Sequence, residues 1–293
     1  MERQLWKAIV TVLNEICKLK GNGVFTFSDS VIVKVWIWAV LHDRPISWAC
    51  QRCNWTIWER HMKLPSNTTM SRRLRSKRVL VLLEKLEERV MRSDEDGSLF
   101  WMIDGKPLVI SGCSKDKQAG YGRATGGKAK GYKMHVIVGG NGTVPAWRLA
   151  PMNKDERVMA ARMLKNVDIS GYLLADGNYD SNKLHQQCED KGNLQLVSPR
   201  RGGSKTRLGH RKQTKGRLRS KAILEDKPTT FGEQLMINRV AIERFFGNLT
   251  NCATGLISLP AWVRTHRRVH RWVQAKMIIY AMKHIAPKTT YVV

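Results

Sequence analysis

The sequence predicts an α/β protein in which a helical N-terminal region precedes a mixed five-stranded sheet flanked by helices. This prediction depends on a change of pattern along the chain. Helix formers recur at three- and four-residue spacing up to about residue 92, and short apolar runs begin near residue 98. The 293 residues, of which 42% are apolar, are enough for one sizeable core and a smaller accessory domain.

The N-terminal region, residues 1–92, is predicted to be a helical DNA-binding domain. Ser66 or Asn67 can cap a helix, and that helix would present a group of arginines, Arg72, Arg73 and Arg75. A capped basic helix after a shorter helix is typical of a helix-turn-helix reader of DNA. A surface helix with solvated arginines would have the same pattern, but the basic character of the whole chain favours DNA contact.

The second region, residues 98–250, is predicted to contain the sheet. Five apolar segments have the length of strands: 99–103, 132–138, 144–149, 172–175 and 194–197. Three further segments have a helical pattern: 155–166, 181–191 and 231–249. The first three strands can pair as a meander, and the last two suit parallel crossovers. The Gly- and Lys-rich segment 112–131 is predicted to be a loop.

The charge of the chain is strongly positive, with a formal net charge of +27 and an isoelectric point of about 10.3. Nucleic acid is the usual polyanionic partner of such a protein, and an anionic membrane surface or a ribosomal-type role are the alternatives. Residues 198–221 carry ten Lys or Arg and no acid, which predicts a flexible arm on DNA phosphates. Its predicted contacts are Arg200, Arg201, Arg207, Arg211 and Lys212. Residues 251–293 are predicted to form a basic helical tail.

No run of about 18 apolar residues predicts a membrane span, and the first residues lack a signal-peptide core. We therefore expect an intracellular, cytoplasmic protein associated with the nucleoid, with its six cysteines reduced. Cys50 and Cys53 form a single CxxC pair, which His42 and His61 could complete as a zinc site. A helix whose two small side chains face the core is the favoured interpretation.

Three acidic residues stand out because the chain has only 24 acids against 51 Lys and Arg. Asp104 and Asp176 each follow a short apolar run, so each is predicted at the end of a buried strand. Glu243 lies in a predicted helix beside Phe245 and Phe246. Buried carboxylates are costly unless they are paired or bound to metal. A structural cap or an ion pair explains each acid separately, but two strand ends and one helix can bring all three together around Mg²⁺ or Mn²⁺.

Four short motifs give the chain a resemblance to a known family. They are Ile103-Asp-Gly-Lys106, Lys130-Gly-Tyr-Lys-Met-His135, Ala175-Asp-Gly-Asn-Tyr-Asp-Ser181 and Arg239-Val-Ala-Ile-Glu-Arg-Phe-Phe246. In this order the chain resembles the DDE transposases of bacterial insertion sequences, which have an RNase H-like catalytic domain. The resemblance covers about residues 99 to 250 and implies a catalytic, metal-binding triad of Asp104, Asp176 and Glu243.

The resemblance also implies which residues contact DNA, and the chain departs from the family pattern at two positions. The basic residues of the motifs, Lys130, Lys133, Arg239 and Arg244, are predicted to contact DNA. The family pattern has Tyr and Lys where this chain has Met236 and Thr250. His135 is predicted to be structural or to face DNA, because a two-metal site generates its own nucleophile.

The sequence therefore predicts a transposase that binds terminal inverted repeats, cuts DNA there and joins the 3′-hydroxyl ends to target DNA with two Mg²⁺ ions, for which Mn²⁺ could substitute. The resemblance implies a homodimer or a larger synaptic assembly on double-stranded DNA. Two alternatives remain. One is a catalytically inactive DNA-binding repressor or architectural factor, and the other is an RNase H-like nuclease acting in repair or on RNA.

Overall fold

The computed structural model describes residues 2–18, 25–56, 62–91, 98–111, 114–201, 212–225, 230–251 and 255–284. The chain divides into two compact units. Unit 1 contains residues 1–93, 249–256 and 267–293, and unit 2 contains residues 94–248 and 257–266. No helix in the described ranges has the length and apolar character that a membrane crossing requires.

Unit 1 is helical, as predicted for its N-terminal part. Its helices are α1 (Glu2–Lys18), α2 (Asp29–Leu41), α3 (Ile46–Ala49), α4 (Asn67–Arg73), α5 (Lys77–Met91) and most of α11 (His266–His284). Ser66 caps α4, because its Oγ accepts a hydrogen bond from the amide of Thr69 at 3.2 Å. The core includes the indoles of Trp6, Trp38 and Trp55, whose ring centroids lie 4.9–6.0 Å from one another.

Helix α11 lies inside unit 1 for most of its length. Residues from Val269 to Met282 along it are largely buried, although the sequence suggested a basic tail. Its polar side chains are used internally: Gln274 donates to Glu87 at 2.7 Å, and Lys276 lies 2.7 Å from a carboxylate oxygen of Asp43. The apolar positions of α11 therefore close the core of the N-terminal helices.

The CxxC pair does not lie in one helix with both side chains facing the core. Cys50 ends α3, and Cys53 is exposed in a 3-10 turn, Arg52–Asn54. His42 packs against the indole of Trp38 at 4.2 Å, and His61 lies outside the described residues. Within the described ranges, no three His, Cys, Asp or Glu side chains are grouped as a metal site.

Among the described residues, unit 2 contains one mixed sheet of six strands, whereas the sequence predicted five. The strands are β1 (Phe100–Val109), β2 (Gly120–Ala124), β3 (Gly127–Gly139), β4 (Ala146–Pro151), β5 (Gly171–Leu174) and β6 (Leu194–Val197). Their order is β2-β3-β1-β5-β6, and β4 also pairs with β3. Pairs among β1 to β4 are antiparallel, and β5 is parallel to β1 and β6. This arrangement is consistent with an RNase H-like domain.

The additional strand β2 arises from the segment that was predicted to be a loop. The turn into β3 uses Gly126 and Gly127, at φ values of 88° and 122°, which only glycine adopts readily. A Cβ at Gly131 would lie 2.2 Å from the carbonyl oxygen of Leu108 on β1. The glycines that suggested a loop therefore permit a tight hairpin and a close approach of two strands.

Two helices predicted in unit 2 are confirmed, a third is interrupted, and part of the predicted basic arm is helical. Helices α6 (Glu156–Leu164) and α7 (Asn182–Glu189) begin at the caps Asp155 and Ser181. The predicted helix 231–249 is interrupted, giving α9 (Phe231–Ile237) and α10 (Val240–Asn251). Part of the segment predicted as a flexible arm forms α8 (Lys215–Glu225), because Arg217 is anchored by two hydrogen bonds to the buried Asp180.

Candidate active site

Asp104 and Asp176 lie side by side at the place where two parallel strands separate. The last paired residues of β1 and β5 are Met102 and Leu174, and each aspartate follows two residues later. The sequence predicted that Asp104 lies at the end of a strand. This prediction is wrong, because β1 continues past Asp104 to Val109 through its pairing with β3. The parallel register brings the two aspartates to the same edge of the β1–β5 pair.

The carboxylate of Asp104 is held by the backbone and by one arginine. Its Oδ1 accepts a hydrogen bond from the amide of Gly105 at 2.7 Å, and Nη2 of Arg239 lies 3.7 Å from its Oδ2. Burial raises the pKa of Asp104 above its ordinary value, Asp176 and Glu156 raise it further, and the Gly105 amide and Arg239 oppose them. A negative charge at this position is therefore destabilised and would gain from a cation.

Asp176 is half-buried and is fixed by the turn that follows β5. Its carboxylate oxygens accept hydrogen bonds from the backbone amide of Asn178 at 2.9 Å and from the side-chain amide of Asn178 at 3.1 Å. The hydroxyl of Ser198, after β6, donates to the carbonyl oxygen of Asp176 at 2.6 Å. The local turn therefore presents the carboxylate next to Asp104 in a defined orientation.

Glu243 is not gathered with the two aspartates in this structure. Its side chain is exposed in the first turn of α10, one turn beyond Arg239. Arg239 lies at the interruption between α9 and α10, and this break lets its guanidinium reach Asp104. The glutamate therefore lies on an element that already contacts the site, but its membership of the triad remains a prediction.

Two residues that the sequence did not single out for the site, Glu156 and Tyr179, lie near the aspartates. Glu156 in α6 forms an ion pair with Lys133, at 2.5 Å between Nζ and Oε1. Tyr179 is fully buried, and its hydroxyl has no hydrogen-bond partner among the described residues. The acidic start of α6, directly after the meander, was the sequence signal for Glu156, whereas Tyr179 gave none beyond its place in the motif after Asp176.

The carboxylate oxygens of Asp104 and Asp176 are the type of ligand that a hard divalent cation such as Mg²⁺ or Mn²⁺ prefers. Asp104 has a destabilised negative charge, and Asp176 is its neighbour across the parallel register. These two carboxylates fit as cation ligands, and waters, a further acid or substrate oxygens would complete the shell.

The residues predicted to contact DNA fall into three groups. Those with exposed side chains are Arg72, Arg75, Arg201, Lys212 and Arg244. Those engaged within the protein are Arg73 with Asp29, Lys130 with the carbonyl of Ser114, Lys133 with Glu156, Arg200 with Glu225, and Arg239 with Asp104. Arg207 and Arg211 lie outside the described residues.

Arg73 has a clear internal role. Its side chain is 8% exposed, and its guanidinium contacts the carboxylate of Asp29 at 2.5 Å and the carbonyl oxygen of Phe27 at 3.0 Å. It also lies 4.1 Å from the ring centre of Phe25. Arg73 therefore ties α4 to the start of α2, and its neighbours Arg72 and Arg75 remain available to a ligand.

His135 is enclosed in the sheet, so it does not face DNA in this structure. Its ring is 0% exposed, and neither ring nitrogen has a hydrogen-bond partner among the described residues. Burial, together with the charge of Lys133, lowers its pKa from 6.5 to about 4. His135 is therefore neutral in the folded chain at neutral pH.

We expect His135 to make the chain sensitive to mild acid. A histidine whose pKa is lowered by folding contributes stability above its unfolded pKa, and this contribution is lost as pH falls from about 6.5 towards 4. Urea unfolding should show a loss of roughly 2 kcal/mol between about pH 7.5 and about pH 5, beyond that of a His135→Phe variant. Equal losses in the two chains would contradict this assignment.

The fold and the site define a class: an α/β protein with a mixed sheet, consistent with an RNase H-like domain, and paired carboxylates where its parallel strands separate. A model of the transposase DDE domain family matches residues 97–282, which is more than half of the chain. The chain belongs to this transposase family. The family acts on DNA, and DDE domains generally use divalent metal ions. No curated protein sequence matches the chain.

Proposed function

We propose that the protein binds the terminal inverted repeats of its own element, cuts the DNA there, and joins the 3′-hydroxyl ends to target DNA. The observation that carries this proposal is the pair Asp104 and Asp176, adjacent at one edge of the sheet in a chain of net charge +27. A basic surface attracts the DNA backbone, and a small acidic centre can hold the ions that act on it.

The cations supply the phosphoryl-transfer chemistry: two Mg²⁺ ions, replaceable by Mn²⁺, can stabilise the attacking and leaving oxygens. Asp104 and Asp176 would bind them, with Glu243 as the third acid of the triad. Support for Glu243 comes from its place one turn beyond Arg239, whose guanidinium is 3.7 Å from Asp104. Glu243 would join the aspartates through a movement of its exposed side chain or of α10 when DNA binds.

The chain's own residues would orient this centre. The amide of Gly105 fixes one oxygen of Asp104, and both amide groups of Asn178 fix Asp176, so the carboxylates need little reordering when a cation binds. Arg239 balances their charge in the free protein. Pre-orientation of this kind lowers the cost of reaching the productive geometry.

For DNA recognition we propose the N-terminal helices, residues 1–92, as a helix-turn-helix-like domain that uses Arg72 and Arg75 but not Arg73. Contacts from the basic segment, through Arg200, Arg201, Arg207, Arg211 and Lys212, and from Lys130 and Arg244 would add affinity for phosphates. Because both ends of an element must be joined, we propose a homodimer or larger assembly that works at the nucleoid.

A cleavage assay tests the proposed function. The purified full chain is incubated with a DNA fragment that carries its gene and the flanking sequence, with Mg²⁺ or with EDTA. We expect Mg²⁺-dependent breaks at repeated sequences on both flanks, followed by joining to a second DNA. Tight binding without any breaks would favour the non-catalytic DNA-binding alternative, which the exposed position of Glu243 also supports. Cutting of RNA in hybrids alone would favour the nuclease.

A double variant tests the predicted DNA contacts of α4. Arg72→Ala with Arg75→Ala should weaken binding to any duplex by roughly 10-fold or more and lower the salt dependence by about two phosphate contacts. The matched control replaces two exposed basic residues of α5, Lys85→Ala with Arg89→Ala. Fluorescence anisotropy titrations over a range of salt concentrations measure both effects. An equal loss in the control would show that general charge, not α4, is responsible.

A further inference from the structure

A hydrogen bond fastens the C-terminal helix α11 to the end of α4 within unit 1. The guanidinium of Arg271 in α11 donates to the carbonyl oxygen of Leu74, the residue that caps the C-terminus of α4. Carbonyl groups at the end of a helix carry partial negative charge, which a cation stabilises. Because Arg75 follows Leu74 directly, this contact places the second turn of α11 beside the backbone of Arg75.

The first turns of α11 have a basic side and an apolar side. Arg267 and Arg268 lie four and three residues before Arg271, so helical periodicity places all three on one side of the helix. The side chains of Arg267 and Arg268 are exposed. On the opposite side, Val269 and Val273 are buried in the core of unit 1. The packing of α11 therefore turns its basic side outwards.

The arginines at this place differ from two arginines nearby, which have an acidic partner. Arg73 and Arg78 both form ion pairs with Asp29. Among the described residues, by contrast, no ion pair is formed by any of the five arginines that we call the α4–α11 arginine surface: Arg72, Arg75, Arg267, Arg268 and Arg271. Positive charges that lack an acidic partner repel one another, and a bound polyanion relieves this repulsion.

The repulsion between these charges acts on Arg271 in particular. Burial lowers the pKa of its guanidinium below the usual value. Neighbouring positive charges lower this pKa further, and they belong to Arg268, Arg75 and Arg267. This effect agrees with the hydrogen bond to Leu74, which joins the same two parts of unit 1. Arg271 still carries its charge at neutral pH, because an arginine is not deprotonated in proteins.

We propose that the α4–α11 arginine surface binds the phosphates of one DNA duplex. Arg267 and Arg268 are the phosphate contacts that α11 contributes, and Arg271 holds α11 against the end of α4. The family acts on DNA, which favours a duplex over another polyanion. The DNA-binding surface then extends beyond residues 1–92 and is built from both ends of the chain. This inference rests on the proposed function, because it extends the DNA contacts proposed for α4.

A basic side that is only solvated would behave differently. If Arg267 and Arg268 contact water alone, their replacement leaves the affinity for a duplex unchanged. If they contact phosphates, each lost contact weakens binding and lowers the salt dependence of the affinity by about one phosphate. Lysine keeps the positive charge, so the Arg267→Lys variant with Arg268→Lys should keep most of the affinity.

Binding of the full chain to a DNA duplex in the presence of EDTA tests the proposal, because the measurement then does not depend on cleavage. Fluorescence anisotropy is titrated at several salt concentrations. Arg267→Ala with Arg268→Ala should weaken binding by about 10-fold or more and lower the salt dependence by about two phosphate contacts. The thermal unfolding midpoint should not change, because both side chains are exposed. The matched control is Lys85→Ala with Arg89→Ala on α5, which removes the same charge from unit 1.

A combined variant tests whether the two helices bind the same duplex. Arg72→Ala and Arg75→Ala are added to Arg267→Ala and Arg268→Ala in one chain. If all four side chains contact phosphates, the salt dependence should fall by about four contacts. A salt dependence no lower than that of either double variant overturns the proposal of one shared surface.

The outcomes separate this inference from the proposed function. Unchanged duplex affinity after Arg267→Ala with Arg268→Ala overturns the inference, and so does an equal loss in the α5 control. A lysine variant that binds as weakly as the alanine variant also overturns it. If the alanine variant loses affinity but the unsubstituted chain never cleaves DNA with Mg²⁺, the inference stands and the proposed function fails. If the chain cleaves DNA and the alanine variant binds normally, the inference alone fails.

Discussion

The Asp104→Asn and Asp176→Asn variants are each expected to lose DNA cleavage and joining by about 1,000-fold or more while they retain DNA binding. Asparagine keeps the size and hydrogen-bonding capacity of aspartate but is a poor ligand for a hard cation. Several kcal/mol of transition-state stabilisation would be lost with the cation. Rates of Mg²⁺-dependent cleavage and duplex affinity, measured on the same preparations, check this prediction.

Stability separates a catalytic role of Asp104 from a structural one. Burial and two neighbouring acids disfavour its negative charge, so the Asp104→Asn variant should be as stable as the unsubstituted chain or more stable without metal. The exposed Asp168 offers a matched control, because Asp168→Asn removes the same charge from unit 2. Full cleavage by either active-site variant would contradict the assignment, and so would an equal loss in the control.

Glu243→Gln belongs to the same experiment, because the side chain of Glu243 is exposed in the chain without DNA. If the glutamate completes the centre on DNA, its variant should lose cleavage as fully as the two aspartate variants. If Glu243→Gln cleaves at the rate of the unsubstituted chain, Glu243 is not the third acid of the centre.

The Asp180→Ala variant is expected to lower the free energy of unfolding by about 3–5 kcal/mol. The substitution breaks the ion pair between Asp180 and Arg217 and leaves the Arg217 guanidinium without its acidic partner. The Asp180 side chain is 3% exposed and accepts two hydrogen bonds from Arg217, at 2.7 and 2.6 Å. His185 Nε2 lies 3.4 Å from the same carboxylate. Urea unfolding followed by circular dichroism measures the loss, with Asp168→Ala as the exposed control.

The same carboxylate gives an acid dependence with a defined sign. Burial alone would raise the pKa of Asp180, but hydrogen bonds from His185, Arg217 and the Arg201 amide lower it below its ordinary value of 3.8. Its contribution is complete above about pH 4 and is lost as the pH falls further. An Asp180→Asn variant should lose less stability than the unsubstituted chain below that pH. Identical acid profiles would show that Asp180 is not the group responsible.

The order of most helices and strands could be predicted because it depends on local patterns. Alternating and helical periodicity, the caps Ser66, Asp155 and Ser181, and short apolar runs are all readable within a few residues. The errors have one cause. The hairpin that contains β2, the break at Arg239 and the helix formed by 215–225 each depend on contacts with distant segments, which local patterns do not record.

The site divides in the same way. The position of Asp104 and Asp176 beside adjacent strands could be predicted from the sequence, because a carboxylate after an apolar run is chemically unusual, and their role as ligands stays a prediction. The acidic start of α6 was only a weak signal for Glu156, because an acid in the first turn of a helix is ordinary until its partner Lys133 is known. Arg73 gave the opposite error: it looked like its neighbours, but the fold turned it towards Asp29.

By itself the sequence determined the strongly basic character of the chain and the order of its helical region and its α/β region, because composition and short-range periodicity are properties of the chain alone. It also predicted the two aspartates of the candidate site. Only the tertiary structure decided that β1 continues past Asp104, that Lys133 holds Glu156 rather than a phosphate, and that Glu243 stands exposed one turn from Arg239. Those features depend on which distant strands and helices are in contact, and these contacts are specified by packing and strand register across the whole domain.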